Sequence, residues 1–152
     1  MMKAFIVAEI ASNWEGNMSK AKKLILNCKN AGANAVKFQM WRAEDLYQKD
    51  HPEWINILKS ELSFKKIKIL KTYCDSIGIE FFASVFYPEA VEFLESIKVK
   101  RYKIASRTCT LKDPYSIETI EKIGITKKPT IISMGMGGNK KIIKQKISNN
   151  KD

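Results

Sequence analysis

The chain is poor in metal-binding and cross-linking side chains: 152 residues carry one histidine and three cysteines. Cys28, Cys74 and Cys109 are scattered and odd in number. That excludes a disulfide framework and the usual zinc-ligand spacings, so they read as reduced thiols of a cytoplasmic protein. No run of about 18 apolar residues occurs, and Met1-Met2-Lys3-Ala4 does not begin a cleavable leader. Neither a membrane span nor secretion is expected. Glycine (7) and proline (4) are sparse and 45% of residues are hydrophobic, which excludes fibrous and disordered classes. Acidic residues are also in deficit, 16 against 27 Lys and Arg, for a formal charge of +11. Many of the lysines, such as Lys20, Lys22, Lys23, Lys65, Lys66, Lys68 and Lys71, spread over helix faces as a solvated surface does. With no finger spacing and no basic motif interleaved with aromatics, nucleic acid is not the expected partner.

What is present is alternation. Five short runs rich in β-branched and aromatic residues are expected as strands: 4–10, 35–40, 80–86, 101–106 and 130–134. Between them apolar residues recur with helical period. Ala21, Leu24, Ile25 and Cys28 form one stripe ahead of Gly32. Ile67, Leu70, Cys74 and Ile77 form a second between Ser63 and Gly78, and Pro88 opens a third with Ala90, Phe93, Leu94 and Ile97. Asp113-Pro114 reads as an N-cap with proline at the first helical position, followed by Ile117 and Ile120. A short extra helix is expected within 52–62, and a weak one after Gly137-Gly138-Asn139.

Strand-helix alternation calls for parallel strands and an α/β class. Strand starts are spaced about 31 residues apart, so eight units would need roughly the 250 residues of a (β/α)₈ barrel. The chain holds five. It is therefore either a five-stranded open sheet or a partial (β/α)₈ TIM barrel of about five βα units, and residues 1–152 are read as a single domain.

Strands covered on both faces should be apolar, so charge inside them needs a reason. Glu9 falls on the face of Phe5 and Val7, and Lys37 and Gln39 share a face of the second run. Ser84 interrupts the third run, Lys103 and Ser106 the fourth, and Ser133 the fifth. In a parallel sheet these ends emerge on one side, where ligands bind in barrels and open sheets alike. Lysines and hydroxyls converging there make an anion pocket, and the Met134 to Gly138 loop is a candidate source of backbone N–H groups for a phosphate.

These runs together resemble a known family. Ala8-Glu9-Ile10-Ala11-Ser12-Asn13-Trp14, then Gly32 to Gln39, Gly78 to Ser84, Tyr102-Lys103-Ile104-Ala105-Ser106 and Ser133-Met134-Gly135-Met136 are similar, in order and spacing, to the sialic acid (N-acetylneuraminate) synthase family. The resemblance implies the N-terminal part of a TIM barrel that condenses phosphoenolpyruvate with an N-acylated hexosamine of the N-acetylmannosamine type. It implies phosphoenolpyruvate binding by Lys37, Ser84, Lys103, Ser106 and Ser133, a catalytic Glu9 near the sugar, and a substrate pocket including Asn13, Gln39 and Arg107.

It also implies a divalent metal, Mn or Mg, whose ligands belong to later strands and are not expected in this chain. His51, in a His-Pro loop, reads as solvated rather than as a ligand. Three positions depart from the family pattern: Trp14 stands where a histidine is usual, leaving it only the option of stacking on substrate; Arg107-Thr108 stand where Gly-Glu is usual; and Ser84-Val85 replace Thr-Pro. The later barrel strands and the small antifreeze-like domain are expected to be absent. A chain of this kind is expected to be inactive alone and to need a second copy or a second chain to complete the barrel. The alternative is a non-enzymatic half-barrel that binds an anion or a partner.

Overall fold

The computed structural model describes residues 4–148. Its five strands are β1 (Val7–Glu9), β2 (Ala35–Met40), β3 (Glu80–Val85), β4 (Tyr102–Ile104) and β5 (Thr130–Ile132), each inside its expected run. The helices are α1 (Met18–Asn30), α2 (Ala43–Leu46), α3 (Trp54–Ser60), α4 (Phe64–Ile77), α5 (Pro88–Ser96), α6 (Ser116–Ile125) and α7 (Lys140–Ser148). A 3₁₀ turn, Thr108–Thr110, follows β4.

Local chemistry sets several boundaries. Asn17 caps α1 by accepting the Lys20 N–H at 3.0 Å, and Ser63 accepts from Lys66 at the start of α4. Gly78 ends α4 in the left-handed conformation, φ 69°, which a residue without Cβ adopts freely. Asp113 does not cap α6. Its carboxylate is taken by Arg107, and the helix begins three residues later behind Tyr115. The four-residue α2 has no counterpart in the sequence periodicity, because one turn is too short to show one.

All neighbouring strands are parallel and the sheet order is β1-β2-β3-β4-β5, the order of the chain itself. This settles the choice left by the sequence. A doubly wound sheet reverses its strand order at a switch point and carries helices on both faces. Here the order never reverses, and the core lies between one sheet face and the helices: Val36, Phe38, Met40, Phe81, Ala83, Val85, Tyr102 and Ile104 pack with Ile25, Ile67, Leu70, Leu94 and Ile120. Phe64 of α4 stacks on Phe93 of α5 at 4.3 Å between ring centres, so successive helices adjoin around the outside. Five parallel strands thus form a curled half-barrel with an inner face, an outer helical layer and two free edges.

Trp14 is fully buried in this core with the Lys66 ammonium 5.1 Å from its ring. It packs the protein rather than offering a surface for a substrate, which corrects the stacking expectation. No helix among the described residues is long and apolar enough to cross a membrane.

Candidate functional site

The strand register decides which side chains meet on the inner face. Glu9 stands beside Lys37, and Lys37 beside Phe82. One rung further toward the strand ends, Gln39 stands beside Ser84, Ser84 beside Lys103, and Lys103 beside Ile131. Because side chains alternate along a strand, Val36 and Phe38 turn out to the helices while Lys37 turns in. The sequence therefore forces an ammonium into the inner face at the point where the outer face is driest.

Lys37 is 6% exposed. Its Nζ donates to Ser84 Oγ at 3.0 Å and forms an ion pair with the Glu9 carboxylate, which is half-exposed. Ser84 is itself buried, so its hydroxyl is fixed at the centre of the sheet rather than at its rim. Lys103 is half-buried and donates to the Ile104 carbonyl at 2.6 Å. Burial pulls its pKa below the ordinary lysine value and the nearby Lys37 charge pulls it further, while Cys109 and Glu9 oppose both. Cys109, buried on the 3₁₀ turn after β4, has its thiol pushed up by burial. In the sequence Cys109 is only a scattered thiol; the 3₁₀ turn brings it near Lys103.

The other expected residues divide. Gln39 lies on the inner face beside Ser84, and Ser133 follows β5 on the same side, its N–H bonded to the Ile104 carbonyl at 3.1 Å. Ser106 Oγ accepts the Gly135 N–H at 3.1 Å and so ties the end of β4 to the loop after β5. Asn13 is exposed in the turn after β1, outside the group formed by Glu9, Lys37 and Ser84.

In the Gly135 to Gly138 loop two of the N–H groups are already engaged. The Gly135 N–H goes to Ser106, the Gly137 N–H to the Met134 carbonyl at 3.3 Å, and Asn139 Oδ1 caps α7 through Lys141 and Ile142. Gly138 is required for a packing reason: a Cβ there would lie 2.6 Å from the Cys109 carbonyl oxygen.

Arg107 is already engaged. Its Nε donates to both Asp113 carboxylate oxygens, at 2.9 and 2.7 Å, and Nη2 donates to the Leu46 carbonyl at 3.2 Å. Its guanidinium also faces the Tyr47 ring at 6.0 Å, and Tyr47 meets both Trp41 and His51 edge-on. His51 accepts the Glu53 N–H on Nδ1 in an exposed loop. Arg107 therefore braces the long connection after β2 against the connection after β4. Neither Asp113 nor Tyr47 carried a sequence signal for this, since each acquires its role from a partner 6 and 60 residues away.

At the opposite end of the strands Arg101 pairs with Glu80 and covers the Phe5 ring at 4.1 Å, which closes that end with structural charge. The polar group at the C-terminal ends is the one suited to a ligand: two ammonium groups, a buried hydroxyl, a carboxamide and a half-exposed carboxylate. This set can hold an anion by charge and directed hydrogen bonds.

Comparison with known proteins agrees with this architecture. The profile of the NeuB family matches residues 24–148. The N,N'-diacetyllegionaminic acid synthase of Legionella pneumophila is 36% identical over 89% of this chain and 40% of its own length. The mouse N-acetylneuraminate-9-phosphate synthase is 33% identical over 87% of this chain and 39% of its own. Among solved structures, the N-acetylneuraminic acid synthetase of Leptospira borgpetersenii, in complex with citrate, superimposes with a TM-score of 0.82 at 28% identity, over 97% of this chain and 50% of that one. The chain spans about two-fifths of the length of these curated relatives. On the extent of the profile match, the chain belongs to the NeuB family.

Proposed function

We propose that residues 4–148 form the phosphoenolpyruvate-binding part of a synthase that joins phosphoenolpyruvate to an N-acylated hexosamine, giving a nonulosonic acid. The observation that carries the reading is the buried Lys37 ammonium, held by Ser84 and Glu9 on the same inner face as Lys103. A buried charge of this kind is costly to a fold and is retained where a ligand of opposite charge uses it. The names of the relatives support the reaction class.

In this reading Lys37, Ser84 and Lys103 receive the phosphate and carboxylate, with Ser106 and Ser133 at the rim and Gln39 on the floor. Carbon 3 of phosphoenolpyruvate bonds to the aldehyde carbon of the sugar, whose oxygen becomes a hydroxyl. Water adds at carbon 2, and inorganic phosphate leaves as the keto acid forms. Glu9, half-exposed beside Lys37, orients a sugar hydroxyl and exchanges the proton that the addition requires. Arg107 holds the loop at the mouth, and its contact with substrate is indirect.

The divalent metal implied by the resemblance does not fit the residues present. Among the described residues no three His, Cys, Asp or Glu side chains gather into a group that could hold a metal ion. No step is therefore assigned to it. The two free edges, with Ile6 at 55% and Ile131 at 41% exposure, favour completion of the barrel by further strands, from a second copy or a second chain. Those strands would bring the remaining ligands.

Isothermal titration with phosphoenolpyruvate tests the reading. Binding that disappears in Lys37→Met supports it, and equal heats for the two proteins overturn it. Synthase turnover by the chain alone, with Mn²⁺ or Mg²⁺, would show that the active site needs no completing strands.

A further inference from the structure

Lys103 differs in its partner from the other cations in and beside the strands. Lys37 has the Glu9 carboxylate and Ser84, Arg101 has Glu80, and Arg107 has Asp113. The Lys103 Nζ has a neutral carbonyl, that of Ile104 at 2.6 Å. It stands half-buried on the rung it shares with Ser84, within the field of a second ammonium. An amine is nucleophilic only when neutral, and both burial and a like charge favour that form. The inner face thus sets Lys37 with Ser84, as an anion anchor, beside a primary amine that makes no direct ion pair among the described residues.

We propose that Lys103 is a covalent modification site whose amine condenses with a small phosphorylated aldehyde seated in this pocket. The proposal rests on the anion-pocket reading for the seat of the phosphate, and adds to it a bond-forming group. The Nζ lone pair attacks the carbonyl carbon, the carbonyl oxygen takes a proton, and a carbinolamine forms. Its hydroxyl then leaves as water while the C=N bond forms, so the imine is made without oxidant or reductant and reverses by hydrolysis. The adduct fills the pocket and excludes phosphoenolpyruvate. Three groups face the amine: Lys37 from β2, Glu9 from β1 and Cys109 from the 3₁₀ turn. Cys109 is held as the thiol by burial and does not compete.

Pyridoxal 5'-phosphate is the probe, applied to the full chain near neutral pH, followed by borohydride reduction and peptide mass mapping. Lys103 is expected to carry several-fold more label than any surface lysine, because its lowered pKa leaves a larger neutral fraction near neutral pH. Inorganic phosphate and phosphoenolpyruvate should slow the labelling, pyridoxal lacking the phosphate should label Lys103 little, and Lys103→Arg should remove the label while keeping the charge. Lys37→Met should move the pH midpoint of labelling upward, because it removes the repulsion. Label spread evenly over the 24 lysines, or a rate indifferent to phosphate, overturns the proposal. Selective, phosphate-sensitive labelling in a protein that does not bind phosphoenolpyruvate would refute the synthase reading alone. Tight phosphoenolpyruvate binding without selective labelling would refute the imine alone.

Discussion

Lys37 Nζ and Ser84 Oγ meet at 3.0 Å across adjacent strands, 47 residues apart in sequence, and the ammonium is completed by a carboxylate far more exposed than itself. The side chain of Lys37 is 7% exposed and that of Glu9 49%. The pair is asymmetric, and its two halves should answer mutation differently. Lys37→Met removes the desolvated charge and lets Glu9 rehydrate, so stability in urea should be unchanged or raised by about 1 kcal/mol while phosphoenolpyruvate binding is lost. Glu9→Gln leaves a buried ammonium with one hydroxyl and should lower stability by about 1–3 kcal/mol. Equal losses in the two variants would show the pair to be structural.

The pH dependence of anion binding follows from Lys103. Its folded pKa lies below the ordinary lysine value of about 10.4, so the cation is penalised by the fold. The unfolded chain then holds more protons between the two values, and stability should rise with pH through that window. Anion affinity runs the other way and should fall as pH rises through the lowered pKa, because the ammonium that attracts phosphate is lost. Titration calorimetry in a pH series is expected to show that loss below the ordinary lysine range. Lys103→Arg should abolish it, and a profile identical in the two proteins would assign the titration elsewhere.

Arg107-Thr108 stand where the resembled motif has Gly-Glu, and the Arg107 guanidinium is spent on Asp113 and Leu46. Asp113 is only 12% exposed, so removing its partner strands a carboxylate in poor solvent. Arg107→Ala should lower stability by about 2 kcal/mol and loosen the connection around Tyr47, measurable as faster amide exchange there. Phosphoenolpyruvate affinity should change little. A selective loss of affinity without loss of stability would place Arg107 in the pocket after all.

Trp14 offers a test of the packing assignment. It is wholly buried, yet its indole N–H has no acceptor among the described residues. Trp14→Phe sheds that unpaired donor while keeping most of the ring, so its cost should stay near 1 kcal/mol, against about 3–5 kcal/mol for Trp14→Ala. Anion affinity in the Phe variant should equal that of the parent. A drop would mean that the indole reaches the ligand.

The strands and the inward lysines were legible because a two-residue period is a local property: Val36-Lys37-Phe38 and Tyr102-Lys103-Ile104 each announce one polar side chain on an otherwise apolar ribbon. Long-range pairings were not legible. Asp113 has every local mark of an N-cap and loses that role to an arginine that outbids the helix N–H groups with charge. Trp14 follows a strand end, where a ligand-facing aromatic is expected, but the chain turns there through Ala11, at φ 48°, and buries the ring under Lys66. The glycine loop has the composition of a phosphate cradle, and only the structure reveals that its Gly135 N–H goes to Ser106 and its Gly137 N–H to the Met134 carbonyl.

The β5 edge yields the last prediction. Ile131 and Ile132 are 41% and 38% exposed on a strand whose sheet neighbour among the described residues is β4 alone, beside a surface that continues through Met134, Ile143 and Ile147. A strand edge with unpaired N–H and carbonyl groups and apolar side chains on both faces is a template for another strand. The described chain should therefore self-associate with rising concentration, visible as an increasing sedimentation coefficient. Ile132→Lys places a charge on the outer face without emptying the core, since Ile132 is already more than a third exposed. That variant should sediment as a monomer at concentrations where the parent does not, with an unchanged melting temperature. A parent that stays monomeric throughout would mean that this edge is protected as it stands, and that nothing further needs to cover it.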